Sequence, residues 1–258
     1  MSRLLLLLLS LCVLSVHSHD GAPFDYFMFT TIYPTAVCRA DDDSVPDSCE
    51  IPDGTPQWSI HGLWPNYDNG SYPQNCEGTP RHFDENLIKD IEPQLQKVWP
   101  NLYPGKSIQS FWKHEYDKHG TCAQSDERFS TELAYFTEVM KVFDSIDIAG
   151  GMASIGPSDK PINTNDVLKA LSGVTGGNHF QFNCLRDKKT KKYLLGDVRL
   201  CLNKDLTLRN CPHNNKHHHN RLTRFGRSSE RRQPLPSFQV PFMKWETRQI
   251  AGSLLKRV

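Results

Sequence analysis

Apolar and polar positions along the chain change period several times, and those changes predict its elements. Residues 24–33 form a nearly continuous aromatic and β-branched run, Phe-Asp-Tyr-Phe-Met-Phe-Thr-Thr-Ile-Tyr, that Pro34 ends, as in a buried strand. Residues 38–56 are acidic and turn-rich, a loop that a Cys38–Cys49 bridge would close. Trp58 to Pro65 reads as a short strand running into a turn, with His61 where the strand ends, and residues 66–81 read as a Gly-, Pro- and Asn-rich loop. From Asp84 or Glu85 a helical period runs through Leu87, Ile88, Ile91 and Leu95 toward Val98. Residues 111–119 suit a second helix, with Ser110 as its cap and Gly120 as its stop. Residues 131–145 repeat Leu133, Phe136, Val139, Met140 and Phe143 on one helical face, and 165–171 form a shorter helix before Gly173. Residues 180–182 and 193–202 read as strands around a Lys-rich turn. Strands and helices without strict alternation predict an α+β fold.

Both ends break this pattern. Residues 1–18 carry Arg3, a leucine block from Leu4 to Leu9 and a small-residue exit, which is the form of a secretory signal peptide. No later segment is apolar enough to span a bilayer, so a soluble protein beginning near His19 is expected. After Cys211 the chain holds roughly ten Lys or Arg against two acids, with little periodicity. Residues 213–258 are therefore read as a basic, flexible tail on a domain of residues 19–212. The whole chain has a formal charge of +1, so the part before the tail is net acidic. The run His217-His218-His219 lies in that tail and is read as incidental.

Eight cysteines include Cys12, which would leave with the signal peptide. An odd number then remains in an oxidising compartment, so at least one stays unpaired. Asn69-Gly70-Ser71 is a glycosylation sequon in turn-rich surroundings, consistent with a surface position.

The candidate chemistry centres on His61 and on the stretch Phe111-Trp112-Lys113-His114-Glu115-Tyr116-Asp117-Lys118-His119-Gly120-Thr121-Cys122. On a helix, Glu115 and His119 share a face with Lys118 beside them and His114 on the next stripe. Two histidines in separate contexts can hold one proton between them near pH 5–6, so one takes a proton while the other gives one. That suits cleavage of a phosphodiester by a neighbouring 2′-hydroxyl, with Lys118 and His114 neutralising charge at phosphorus. Glu115 would tune a histidine or hydrogen-bond a phosphoryl oxygen. Trp64, Tyr72 and Phe111 offer flat surfaces for single-stranded bases.

Three other chemistries fit the sequence less well. His114-Glu115 opens an H-E-x-x-H zinc signature, but the second ligand position is Lys118, and His119 comes one residue late. No Gly-x-Ser-x-Gly elbow supports a serine hydrolase, and Cys122 reads as a disulfide partner. A secreted RNA- or membrane-binding module would use the same aromatics and basic tail without turnover.

His61-Gly62-Leu63-Trp64-Pro65 and the Phe111–Cys122 stretch together resemble the two catalytic segments of the ribonuclease T2 family, over about residues 24–211. The resemblance implies an α+β fold with a central antiparallel sheet flanked by helices and held by disulfides. It implies an acid endoribonuclease needing no metal or other cofactor, secreted or lysosomal, cleaving single-stranded RNA through a 2′,3′-cyclic phosphate with low base specificity. It implies no obligatory protein partner and a monomer. On it, His119 looks like the base for the 2′-OH and His61 like the acid for the leaving group. His114 looks like a phosphate binder, and Glu115 and Lys118 like stabilisers of the phosphorane. Trp64 and Tyr72 match one base site, and Phe111 the second. Cys38–Cys49, Cys76–Cys122 and Cys201–Cys211 match family disulfides, and Asn69 a glycosylated position. Thr31-Ile32-Tyr33-Pro34 replaces the family's Gln-x-Trp-Pro-type segment, Asn66 replaces a frequent acidic residue, and the late cysteine that would pair with Cys184 is missing.

Overall fold

A computed structural model describes residues 24–41, 48–76, 82–156, 158–212 and 237–240. The expected signal peptide and most of the expected tail lie outside these residues. Strand β1 (Tyr26–Ile32) is buried at every position, as its two-sided apolar run requires. Pro34 does end it, but the same proline opens helix α1 (Pro34–Ala40), which takes up the first three residues of the loop expected over 38–56. A proline in the first turn loses no bond, because that N–H has no partner within the helix. Strand β2 (Ser59–Asn66) runs antiparallel to β1.

The single helix expected from residue 84 to 98 is broken in two. A 3₁₀ turn at Glu85–Ile88, capped by the Asp84 carboxylate, precedes α2 (Glu92–Val98). Pro93 explains the break: it lacks the N–H that would bond the Lys89 carbonyl, and its ring crowds that carbonyl, whereas in the first turn of α2 neither matters. Helix α3 (Gln109–Glu115) passes into a π turn at Tyr116–Gly120 and then α4 (Thr121–Ala123). Two expectations therefore fail here. Gly120 does not stop the helix, and Ser110 is not its cap, because Ser110 lies inside the first turn with its hydroxyl on the Ser107 carbonyl.

Helix α5 (Glu132–Ser145) is capped by the Thr131 hydroxyl, α6 (Ile148–Met152) by Asp147, and α7 (Thr164–Leu171) by an Asn163–Asp166 capping box. Strand β3 (Ser158–Asn163) precedes α7; β4 (Gln181–Arg186), β5 (Tyr193–Leu202) and β6 (Leu208–Arg209) follow it. A last strand, β7 (Ser237–Val240), pairs with β3 and touches β5 at Leu194, so the segment read as a tail supplies one element.

β5 is the middle of the sheet. It pairs antiparallel with β1 through Asp197–Leu202 and with β4 through Tyr193–Arg199, so those two strands lie on opposite sides of β5. Phe27, Phe29, Ile60, Leu63, Val198 and Leu200 join Trp99, Trp112, Tyr116, Tyr135 and Phe136 from the helical layer in one core. Tyr26 and Met28 belong to a smaller cluster with the Cys201–Cys211 bridge and Trp64. Cys38–Cys49, Cys76–Cys122 and Cys201–Cys211 all form, and Cys184 is the free thiol among the described residues. No helix of the described residues is long and apolar enough to cross a membrane.

Candidate active site

His61 is positioned by an irregularity in the sheet. Thr30 pairs with Gly62 and Thr31 with Ile60, which leaves His61 as the extra residue of a β-bulge. The bulge resets the alternation of β2, so that Ile60 and Leu63 both enter the core. His61 is thereby set beside Trp64 instead of alternating away from it: the two rings lie edge-on, 5.0 Å apart.

Glu115 and His119 come from the junction of α3 with the π turn, a local widening that often accompanies functional sites. Both side chains are buried. The turn is held from outside by the Asn75 N–H, which donates to the Lys118 carbonyl at 2.9 Å, and by the adjacent Cys76–Cys122 bridge. From inside, the Tyr135 hydroxyl donates to the Leu63 carbonyl at 3.0 Å, joining α5 to β2.

Trp64 is the hub of the site. Its indole N–H donates to Glu115 Oε2 at 2.7 Å, and its ring stacks on His119 with centroids 5.1 Å apart. Glu115 Oε1 lies 3.7 Å from His61 Nε2. Phe111 approaches His61 at 5.7 Å, and Tyr72 approaches His119 at 6.2 Å. Gly62 makes this closeness possible, because a Cβ there would run into the Glu115 carboxylate and the Trp64 indole.

The electrostatics follow from burial. Burial raises the Glu115 carboxyl to about 8, against the opposing pull of the Trp64 bond and Lys118. Burial lowers His119 to about 3, helped by Lys118, His114 and His61. Burial likewise lowers His61 to about 4; Asp197 opposes the shift, while Arg199, His114 and Lys118 add to it. His61 and Glu115 therefore face each other uncharged over most of the range between those values. His114 is exposed, and partial burial and Lys118 lower it below its ordinary value. The Nδ1 atoms of His61 and His119 are buried without a partner among the described residues.

His61, Glu115 and His119 thus meet around Trp64, Phe111 and Tyr72 lie beside the two histidines, and His114 and Lys118 act on both histidines through their charge. Asp197 and Arg199 were missed. They form a two-pronged ion pair on β5, and Arg199 lies 5.9 Å over the Trp64 ring. Their signal was an Asp-x-Arg pair inside an otherwise apolar strand, Tyr-Leu-Leu-Gly-Asp-Val-Arg-Leu-Cys-Leu. No group of three or more His, Cys, Asp or Glu among the described residues is arranged to hold a metal ion. The arrangement offers two histidines, a carboxyl held neutral and nearby positive charge, which together can move protons to and from an anionic substrate.

The sequence model of the Ribonuclease T2 family matches residues 24–211. Ribonuclease T2 protein rnst-2 of Caenorhabditis elegans is 74% identical over 240 residues, spanning 92% of this chain and 86% of that protein. The crystal structure of RNase NT in complex with 5′-AMP superposes with a TM-score of 0.65 at 28% identity, covering 84% of this chain and 98% of that one. Human RNase T2 superposes with a TM-score of 0.61 at 28% identity, covering 73% of this chain and 90% of its own.

Proposed function

The chain belongs to the ribonuclease T2 family, and from that premise we propose that it cleaves single-stranded RNA by transphosphorylation through a 2′,3′-cyclic phosphate. The cleavage needs no metal, runs best on the acidic side of neutral and has low base specificity. One observation carries the reading: His61, Glu115 and His119 converge on the Trp64 indole.

Neutral His119 takes the proton of the 2′-OH, whose oxygen attacks phosphorus. Protonated His61 gives its proton to the departing 5′-oxygen. Hydrolysis of the cyclic phosphate runs the two roles in reverse. The charges around the rings support this division, since Asp197 favours a proton on His61 whereas Lys118, His114 and His61 oppose one on His119. A bound phosphodiester adds negative charge and raises both histidines, which moves the working window up from the values of the free site. Glu115 stays protonated in that window. Its Oε2 already accepts the indole N–H, so Oε1 carries the proton and donates to a phosphoryl oxygen as charge builds there. His114 and Lys118 supply positive charge to the same oxygens. Tyr72, 44% exposed, and Trp64 flank His119 as walls for one base, and Phe111 beside His61 serves the second.

Further parts of the reading concern the chain's route. Residues 1–18 act as a secretory signal peptide, and the catalytic domain covers residues 19–212, which the family match over 24–211 supports. Asn69 is exposed, and its side chain accepts from the Ser71 N–H and hydroxyl in a turn open to a glycosyltransferase. Family membership supports a secreted or lysosomal destination.

The test uses purified protein and single-stranded RNA at about pH 5, where a histidine pair shares a proton, with EDTA present. Products should end in 2′,3′-cyclic phosphate, and His119→Ala should abolish them. Intact RNA in the presence of folded wild-type protein, or loss of activity on chelation, would overturn the proposal.

A further inference from the structure

The face of the sheet that carries His61 and Trp64 also carries a charged pair that the proposed reaction does not use. Register places Gly62, Thr30 and Arg199 in one row across β2, β1 and β5, and Trp64, Met28 and Cys201 in the next. Asp197 stands two residues before Arg199, opposite Ile32, and so faces the same way. The Asp197 side chain is only 9% exposed, and Arg199 donates to its two oxygens from Nε and Nη2 at 2.9 and 3.1 Å. The guanidinium lies over the same indole that His61 meets edge-on and His119 meets face-on. A sheltered ion pair of this kind adds little net stability over an apolar pair of equal size, so stability does not account for its place in an apolar strand.

We propose that Asp197 and Arg199 are a positioning pair that makes His61 the ring that takes up the proton when the phosphodiester binds and leaves His119 as the neutral base. The inference rests on the two-histidine reading above. The groups acting on each ring differ in one respect. His61 receives Asp197 and Arg199 from β5, and His114 and Lys118 from the helix and π turn; Glu115 beside it is neutral in the working range. His119 receives Lys118, His114 and His61, all of which oppose its protonation, and no carboxylate offsets them. Among the described residues, Asp197 is thus the anion that distinguishes the rings. Arg199 fixes the carboxylate in place and weakens its pull, so the pair biases the proton without locking it.

The experiment follows the ring signals of His61 and His119 by NMR through a pH titration, beside the pH profile of kcat on a dinucleoside monophosphate, which reports the groups of the substrate complex. Asp197→Asn leaves Arg199 uncompensated. It should move the His61 midpoint toward acid, and the His119 midpoint less. The alkaline limb should follow, so that kcat at pH 6 relative to pH 4.5 falls by about threefold or more. Removing Arg199 as well, in Asp197→Asn with Arg199→Gln, should return the His61 midpoint part of the way, and Asp197→Glu should restore it. A purely structural pair would make the double variant worse than the single one and leave both midpoints in place, and that result would overturn the inference. Unmoved midpoints in variants of a protein that His61→Ala inactivates would likewise overturn it while the reading of the reaction stands. Midpoints that move as expected without any change in the pH profile support the pair and remove His61 from the acid role.

Discussion

The Trp64 indole N–H and the Glu115 carboxylate meet at 2.7 Å, and this bond joins the sheet to the helical layer inside the site. It also fixes which oxygen of Glu115 is free to face His61 and substrate. Trp64→Phe keeps most of the ring but removes the donor, so a carboxyl that is 1% exposed loses its partner. The expected outcome is a kcat about 10- to 100-fold lower, with a stability loss of about 1–3 kcal/mol from the unsatisfied buried group. Steady-state kinetics and thermal melts on the same variant check both. An unchanged kcat would mean that the bond does not orient Glu115 for the reaction.

Gly62 sits in the row beside that bond. In Gly62→Ala the new methyl would displace the Glu115 carboxylate or the indole, because it falls on both. Displacement of about 1 Å in a catalytic group can cost on the order of 100-fold in rate. The prediction is a folded protein, judged by circular dichroism, whose kcat falls by that order while RNA binding at pH 7 changes little. A fully active Gly62→Ala would show that the close packing is not needed.

Cys184 lies on β4, and burial, with Asp197 adding to it, pushes its thiol up to about 12. A thiol with so little thiolate at pH 8 reacts slowly even though it is partly exposed. Native protein should therefore consume a thiol reagent over hours, and protein in mild denaturant should consume one equivalent per mature chain within minutes. Mass spectrometry that found Cys184 bridged within one chain would contradict this assignment.

The parts of this molecule that were legible in its sequence are those governed by local chemistry. The apolar runs of β1 and β5 and the apolar periods over 131–145 and 165–171 act within a few residues, and the helices and strands they predict stand there within a residue or two. The two histidine segments were legible as chemistry because their residue types are rare in such proximity. The features that escaped depend on partners far along the chain. The bulge at His61 exists only against Thr30 and Thr31, and Gly120 remains helical because the π turn is held by Asn75 and by the bridge to Cys76. Pro34 illustrates a choice that local rules leave open, since a proline both ends a strand and starts a helix. Asp197 and Arg199 were visible as an anomaly, but only the sheet register gives them neighbours.

Stability should fall as pH rises from 6.5 to 8, with Glu132 acting up to about 7 and Glu115 up to about 8. Glu132 opens α5 fully buried, with Oε2 accepting the Asp84 N–H at 2.9 Å and Oε1 without a partner among the described residues. Burial, followed by Asp84 and Asp117, raises its carboxyl from 4.5 to about 7, against the bond from Asp84 and the pull of Lys113. Glu115 is raised from 4.5 to about 8. A raised carboxyl binds its proton more tightly in the folded chain, so its contribution is full below about 4.5 and is lost as pH climbs through the folded value. His61 and His119 are lowered from 6.5, so their contribution is full above 6.5 and is lost as pH falls toward 4 and 3. The two effects oppose each other between pH 4.5 and 6.5, where Tm should change little. Above 6.5 only the carboxyls act, and Tm should drop. Glu132→Gln keeps the shape and an acceptor for Asp84 without the charge, so it should make the fall shallower between pH 6.5 and 7, leave the Glu115 part up to pH 8, and leave activity at pH 5 unchanged. A slope between pH 6.5 and 7 that Glu132→Gln leaves as steep as before would show that this carboxyl is not held protonated in the fold.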